Sequence, residues 1–304
     1  MICNLCPRRC GATRTESEGG GLCGMPAMPH AARAALHFWE EPPISGTRGS
    51  GAIFFSGCPL RCVYCQNASI SHERFGAPLT AEEIRSLCRK LIGQGAHNIN
   101  FVTPTHYAHV LREVLDRPLP VPVVWNTGGY ERIETLKTMA GKVDIYLPDL
   151  KYPDRAAAAR YSAAPDYPDV AAAAIREMFR QTGSVQLDEA GLLRRGVVIR
   201  HLLLPGRVSA AKEVMDWVAG TFRPGEVLFS LMSQYVPMGD LSECPELDRP
   251  LRRAEVRKAA EYMALLGLKG FTQDPSAASG EYIPAFDLTG LFDDAAERPK
   301  QSGR

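Results

Sequence analysis

The chain carries almost no net charge. Its 304 residues hold 35 Lys and Arg against 34 Asp and Glu, a formal charge of +1. Such a balance offers no bulk attraction to nucleic acid or to an anionic membrane. No apolar run approaches the roughly 20 residues that a bilayer span needs. The opening residues, Met1-Ile-Cys-Asn-Leu-Cys6, lack the charged-then-apolar pattern of a secretory leader. A reducing, cytoplasmic setting is therefore expected. There is no internal repeat at a fixed period and no long linker, so the length fits one large α/β core or two ordinary ones. His72, His97, His109 and His201 show no ligand spacing among themselves.

What the chain does have is cysteine, and in one place. Seven of its nine cysteines fall within the first 65 residues. Disulfides that staple a whole fold would be spread along it, so metal ligation is the better reading. The run Gly57-Cys-Pro-Leu-Arg-Cys-Val-Tyr-Cys-Gln-Asn67 presents Cys58, Cys62 and Cys65 as C-x3-C-x2-C. Three thiolates do not close a structural zinc site, which takes four. They suit a [4Fe-4S] cluster held at three irons, with the fourth left open. The stretch Gly51-Ala-Ile-Phe-Phe-Ser56 runs straight into this loop, so the loop hangs from the C-terminal end of a first strand.

A second set, Cys3, Cys6, Cys10 and Cys23, follows C-x2-C-x3-C-x12-C. Four thiolates can close a tetrahedral zinc site, and they can equally hold an auxiliary iron–sulfur cluster. Residues 11–24 show no apolar periodicity, so this segment is expected to take its shape from a metal.

After the cysteine loop, strand-like apolar runs alternate with helical patterns, which predicts parallel βα units. Strands are expected near Gly51–Ser56, Asn98–Val102, Pro122–Trp125, Val143–Leu147, Val197–Leu204 and Val227–Met232, with a short seventh at Gly270–Thr272. Helices are expected near Thr80–Ile92, Tyr107–Leu115, Asp154–Tyr161, Val170–Gln181, Ala210–Val218 and Leu251–Leu266, and another up to Met139. Thr80 and Glu83 have the spacing of a capping box, and Cys88 falls on the apolar face of that helix. Six units do not close an eight-stranded barrel and suit a partial (βα)6 TIM-like barrel with a lateral cleft. The expected division is a cysteine-rich metal-binding segment over 1–45, a core over 46–285 and a tail over 286–304.

The Cys58–Cys65 loop resembles the signature of the radical S-adenosylmethionine (SAM) superfamily, where the residue before the third cysteine is usually aromatic, here Tyr64. The resemblance implies a [4Fe-4S] cluster whose open iron takes the amino and carboxylate groups of SAM. One electron into the sulfonium then yields methionine and a 5′-deoxyadenosyl radical that abstracts hydrogen from substrate. Within the superfamily the chain resembles the glycyl-radical-enzyme activases, the pyruvate formate-lyase activating enzymes, and an activase-like branch carrying an extra N-terminal four-cysteine segment. The residues that carry this are Ser45-Gly-Thr-Arg-Gly-Ser-Gly51, Val102-Thr-Pro-Thr-His-Tyr107, Asp149-Leu-Lys151, and Arg200 before Leu204-Pro-Gly206.

The resemblance places Asp149 and Lys151 near the ribose and carboxylate of SAM, Arg200 within reach of the carboxylate, and Tyr64 at the adenine. Asn67 follows the loop with no assigned role. Where the family often has Gly-Gly-Glu after the second strand, this chain has Thr103-Pro-Thr-His106, and Gly128-Gly129 follows the third instead. Thr103 or Thr105 would then meet the SAM amino group. His106 and Tyr235 are candidate catalytic residues, with Gln234 beside them. The implied partners are a one-electron reductant such as flavodoxin or ferredoxin, and a protein, peptide or small-molecule substrate. A non-enzymatic iron–sulfur carrier is the alternative of another class.

Overall fold

The computed structural model describes residues 1–273 and 284–292. Ten strands run in chain order: β1 His30–His37, β2 Ser50–Phe55, β3 Ala77–Pro78, β4 Ile99–Val102, β5 Val123–Thr127, β6 Ile145–Pro148, β7 Gln186–Leu187, β8 Leu193–Leu202, β9 Leu228–Met232 and β10 Gly270–Thr272. Nine α-helices connect them: α1 Pro42–Ser45, α2 Ala68–Ser71, α3 Ala81–Gly93, α4 Ala108–Val114, α5 Ile133–Thr138, α6 Arg155–Ser162, α7 Tyr167–Thr182, α8 Val208–Thr221 and α9 Arg253–Leu265. All these counts refer to the described residues.

The strand order is β10-β9-β8-β6-β5-β4-β2-β1-β3, with β7 added to β8. The pairs from β2 to β10 along this path are parallel, as crossover helices require. The order does not close on itself among the described residues, so the fold is a mixed α/β one with a largely parallel, open sheet. The seventh parallel strand, β10, is present where the sequence suggested it. Strand β1 was not expected. It pairs antiparallel with β2 from Ala31↔Phe55 to His37↔Ser50, so the sheet already includes residues ahead of position 46. Most of the tail expected over 286–304 lies outside the described residues.

Both faces of the sheet are buried. Val123 and Trp125 face the helices with Phe101, Tyr146 and Ile199, in one large core. Val124 faces the other way, with Ile145, Leu147, Val198, Leu228 and Ile44 of α1. Near-continuous apolar strands are what a parallel sheet covered on both sides needs. Helix α3 starts as the sequence predicts: Thr80 accepts from the Glu83 N–H while the Glu83 carboxylate accepts from the Thr80 N–H. Cys88 on its inner face is fully buried and belongs to the core.

The interior face turns polar toward the C-terminal strand ends. Asn100, Asn126, Arg200 and Ser230 point inward there, above the apolar floor closed by Ile44. This is the end of a parallel barrel at which loops can place functional groups.

Candidate active site

A cavity of about 270 Å³ opens at these strand ends. Its lining includes Cys62, Tyr64, Cys65, Asn67, Glu40, Asn126, Asp149, Lys151, Arg200 and Gln234. Residues from 40 to 234 thus meet in one space, although no two of the charged ones except Asp149 and Lys151 are close in sequence.

The cysteine loop enters this space from β2. Gly57 begins it at φ +80°, with a Cβ position only 2.2 Å from Met25 Cγ, so a side chain there would collide with the N-terminal segment. The loop then docks on the C-terminal end of α6. The Arg61 and Val63 N–H groups donate to the carbonyls of Ser162 and Tyr161. Last-turn carbonyls of a helix lack intrahelical partners, so these are bonds the helix end needs anyway.

Each thiol of the loop receives one neighbour. The Leu60 N–H donates to Cys58 Sγ at 3.4 Å. The Ser162 hydroxyl donates to Cys62 Sγ at 3.0 Å. Cys65 Sγ and the Ser71 hydroxyl lie 3.2 Å apart. All three cysteines are free. Burial pushes the Cys58 and Cys62 thiols up, the neighbouring cysteines add to this, and Lys151 opposes it.

The charged floor is organised around Arg200. Its Nε donates to Asp149 Oδ1 at 2.9 Å, Nη1 to Glu40 Oε2 at 3.2 Å and Nη2 to Asn126 Oδ1 at 2.6 Å. Lys151 Nζ donates to the other Asp149 oxygen at 2.6 Å. The side chains of Asp149 and Lys151 are only 13% and 15% exposed, so they are not a surface pair. Glu40 also accepts from Asn100 and Asn126. The two carboxylates on Arg200 differ. Burial raises both, but at Asp149 the paired cations Arg200 and Lys151 outweigh it and hold the carboxyl below its ordinary value. At Glu40 burial prevails over Arg200, and the carboxyl is raised. Glu41 is also raised by burial, with Ser230 as its polar neighbour opposing the shift.

Tyr167 fixes the turn that carries Asp149 and Lys151. Its hydroxyl sits between the Asp149 and Gly128 carbonyls and accepts from the Lys151 N–H at 3.0 Å. Gly129, at φ +79°, approaches so closely that a Cβ would lie 2.1 Å from the Asp149 carbonyl oxygen.

Several predicted residues are placed elsewhere. His106 does not line the cavity. It is 1% exposed, its Nε2 meets the Ser56 carbonyl at 2.7 Å, and burial lowers it to about 3, so it is a neutral packing residue under the loop. Tyr235 donates to the Leu247 carbonyl and packs edge-on against Tyr64, which makes it a support rather than a lining residue. Thr105 donates to Glu131 Oε1 at 2.6 Å and is spent there. Thr103, at φ +58°, sits outside the described cavity lining. Cys244, in the loop just before the turn at Pro245–Leu247, is buried. Asn67 and Gln234 do line the cavity.

Glu40, Asn126, Tyr152 and Ser162 had no sequence signal. Glu40 sits in a Glu-Glu-Pro-Pro run that reads as solvated polar chain, and the partners that bury it lie 60 to 160 residues away.

The four N-terminal cysteines also converge. Burial pushes Cys6 up to about 12, and Cys23, Cys3 and Cys10 are close enough to add to the effect. Among the described residues no three His, Cys, Asp or Glu side chains are drawn in to single-ion geometry. The segment is pinned to the barrel instead. Arg14, fully buried, donates to the His106 and Pro26 carbonyls and lies over the Tyr107 ring.

Residues 52–218 match the model of the radical SAM superfamily. The chain belongs to the radical SAM superfamily. It is 28% identical over 270 residues, 85% of this chain and 73% of the other, to an uncharacterized protein of Methanocaldococcus jannaschii. Among solved structures, Streptococcus suis SuiB matches with a TM-score of 0.50 at 13% identity, covering 74% of this chain. This chain spans only 48% of the SuiB chain, so the likeness concerns the fold. A radical SAM methyltransferase of Sphaerobacter thermophilus has a TM-score of 0.49 at 16% identity, with 76% and 70% of the two chains covered. A pyruvate-formate lyase-activating enzyme domain of Bacteroides vulgatus has 0.37 at 15%, with 64% and 91% covered.

Members of the superfamily use a [4Fe-4S] cluster and SAM. The residues present fit both. Three free thiols share one loop, two of them line the cavity, and a buried ammonium stands against them. A four-iron cluster also sets its thiolates on separate irons, which needs wider spacing than one ion does.

Proposed function

We propose that this protein is a radical SAM enzyme that removes a hydrogen atom from a protein or peptide substrate, in the manner of a glycyl-radical-enzyme activase. The observation that carries the proposal is the convergence of Cys62 and Cys65, with Cys58 beside them in the same loop, and of Asp149, Lys151, Arg200 and Glu40 on one cavity. Cys58, Cys62 and Cys65 would hold the cluster. When bound, cluster and SAM together supply a 5′-deoxyadenosyl radical.

The chain's own residues then have defined work. Lys151, held beside Cys62 by Asp149, places a positive charge where thiolate charge accumulates. It also offers an anion such as a carboxylate its remaining donors. Asp149 is ionised and its oxygens are turned inward, which suits it to accept from a ribose hydroxyl. Arg200 spends three of its five N–H donors on Asp149, Glu40 and Asn126, which holds those side chains in place and leaves two donors over. Tyr64, buried with its ring against the cavity, offers an aromatic wall for an adenine. The electron would come from a flavodoxin- or ferredoxin-type donor. The N-terminal cysteines would hold zinc or an auxiliary cluster. No described helix is long and apolar enough to cross a membrane.

The test is anaerobic reconstitution of wild type and of the Cys58/Cys62/Cys65 triple alanine, with iron and zinc counted per chain. Wild type should form 5′-deoxyadenosine from SAM and dithionite, and the triple variant should form none and lose about four irons. No 5′-deoxyadenosine from a fully loaded wild type would refute the proposal. Iron retained in the triple variant would assign a cluster to Cys3–Cys23 and favour a small-molecule or modified-peptide substrate.

A further inference from the structure

Arg8 of the N-terminal segment bridges the cysteine loop and the end of α6, with one bond to the loop and two to the helix end. Arg8 stands between Cys6 and Cys10. Its Nε donates to the Pro59 carbonyl at 2.8 Å, inside the Cys58–Cys65 loop. Nη2 donates to the Ser162 carbonyl at 3.2 Å, and Nη1 donates to the Ala163 carbonyl. The guanidinium also lies 5.2 Å from the Tyr130 ring centroid. Ser162 and Ala163 are the C-terminal end of α6, where Ala163 takes a left-handed conformation at φ 50°. A helix end of this kind presents unpartnered carbonyls and a partial negative charge, and a fork-shaped cation satisfies both.

Ser162 is also the residue whose hydroxyl donates to Cys62 Sγ. That hydroxyl has one proton. Since it goes to sulfur, Ser162 must accept from Tyr152, 2.7 Å away. Tyr152 in turn must accept from Tyr64, 2.5 Å away. The chain of hydroxyls therefore has a single direction, Tyr64 to Tyr152 to Ser162 to Cys62, and each bond polarises the next. All four residues are buried. Arg8 holds the backbone at Ser162, the point where this chain of hydroxyls ends on a loop thiol.

We propose that Arg8 is a positioning residue that sets how readily the cluster is reduced, by fixing the Ser162 hydroxyl on Cys62 Sγ. The inference rests on the reading of Cys58, Cys62 and Cys65 as cluster ligands. A hydrogen bond donated to a ligating thiolate withdraws charge from it and favours the form with one more electron. The Arg8 fork helps to fix the Ser162 backbone, whose carbonyl also accepts from the Arg61 N–H, and it ties the bond to the N-terminal four-cysteine segment in which Arg8 is embedded.

The experiment is a redox titration of the reconstituted protein, followed by the reduced-cluster EPR signal, with dithionite supplying the single electron. Wild type is compared with Arg8→Met, Ser162→Ala and the double variant. Arg8→Met and Ser162→Ala should each shift the midpoint to more negative values, at least about threefold in the ratio of reduced to oxidised cluster at a fixed potential. The double variant should shift no further than the larger single, because both act on one bond. Arg8→Lys, which keeps the charge but not the fork, should fall between. An unchanged midpoint in a folded Arg8→Met protein, or shifts that add, would overturn the proposal.

A second readout needs no cluster. In metal-free protein, iodoacetamide labelling of Cys62, mapped by mass spectrometry, should be severalfold slower in Arg8→Met, because the donated bond that favours the reacting thiolate is lost. Equal rates there would also overturn it. A wild type that takes up no iron at the loop would refute the cluster reading itself, and the labelling result would still decide whether Arg8 holds Ser162 on Cys62.

Discussion

Replacing Arg200 by methionine tests the charged floor of the cavity directly. The arginine side chain is 14% exposed, and the carboxylates it joins, Glu40 and Asp149, are 8% and 13% exposed. Asp149 would keep Lys151 at 2.6 Å. Glu40 would keep only the amides of Asn100 and Asn126 and become an unpaired buried charge. Removing one partner of a buried pair costs about 3–5 kcal/mol. Glu40 can relieve part of that by taking up a proton. Its carboxyl is already raised by burial, and loss of Arg200 raises it further. The sign follows: over the interval between those two folded-state values the variant binds a proton that wild type does not. Its deficit therefore shrinks as pH falls, by up to about 1.4 kcal/mol per pH unit. The assay is urea unfolding of the metal-free, reduced protein, followed by circular dichroism at about pH 7 and about pH 5.5. A deficit under about 1 kcal/mol, the worth of an exposed pair, or one that does not change with pH, would refute the reasoning.

Other outcomes follow from single features. His106 and His201, buried and lowered to about 3 and about 4 from 6.5, stay neutral in the folded chain. The stability they confer is complete above 6.5 and is lost as pH falls toward 4, at up to about 2.7 kcal/mol per pH unit together. A His201→Asn variant should lose about half of that slope in melts across the interval, and an unaltered slope would argue against it. Gly129→Ala must displace the Asp149 carbonyl and should cost more than Gly141→Ala, which shares the positive φ but has nothing within 4 Å. Equal melting points for the two would contradict the close approach. Thr80→Ala should cost about 1 kcal/mol through the capping box of α3, read by chemical unfolding.

The sequence by itself determined whatever depends on neighbours along the chain. Cys58, Cys62 and Cys65 share one loop, so their spacing was legible, and β2 could be seen running into them. The alternation of buried strands and amphipathic helices follows from periods of 2 and 3.6 residues, so α3, α7 and α9 lie within a few residues of expectation. The Asp149-Leu-Lys151 turn was visible because it closes a predicted strand. Strand β1 was missed because His30–His37 is Ala-rich, and its pairing with β2 and, at His30 and Ala31, with β3 rather than propensity decides it.

Only the tertiary structure decided which side chains meet. Arg200 finds Glu40 across 160 residues, Ser162 finds Cys62 across 100, and Arg8 finds Ser162 across 154. It also withdrew His106, Thr105 and Tyr235 from the cavity by giving their polar atoms other partners. The physical reason is the same in each case. Periodicity reports which face of an element is buried, whereas a buried charge or hydroxyl is tolerated only where some distant residue completes its hydrogen bonds, and that pairing exists only once the sheet has formed.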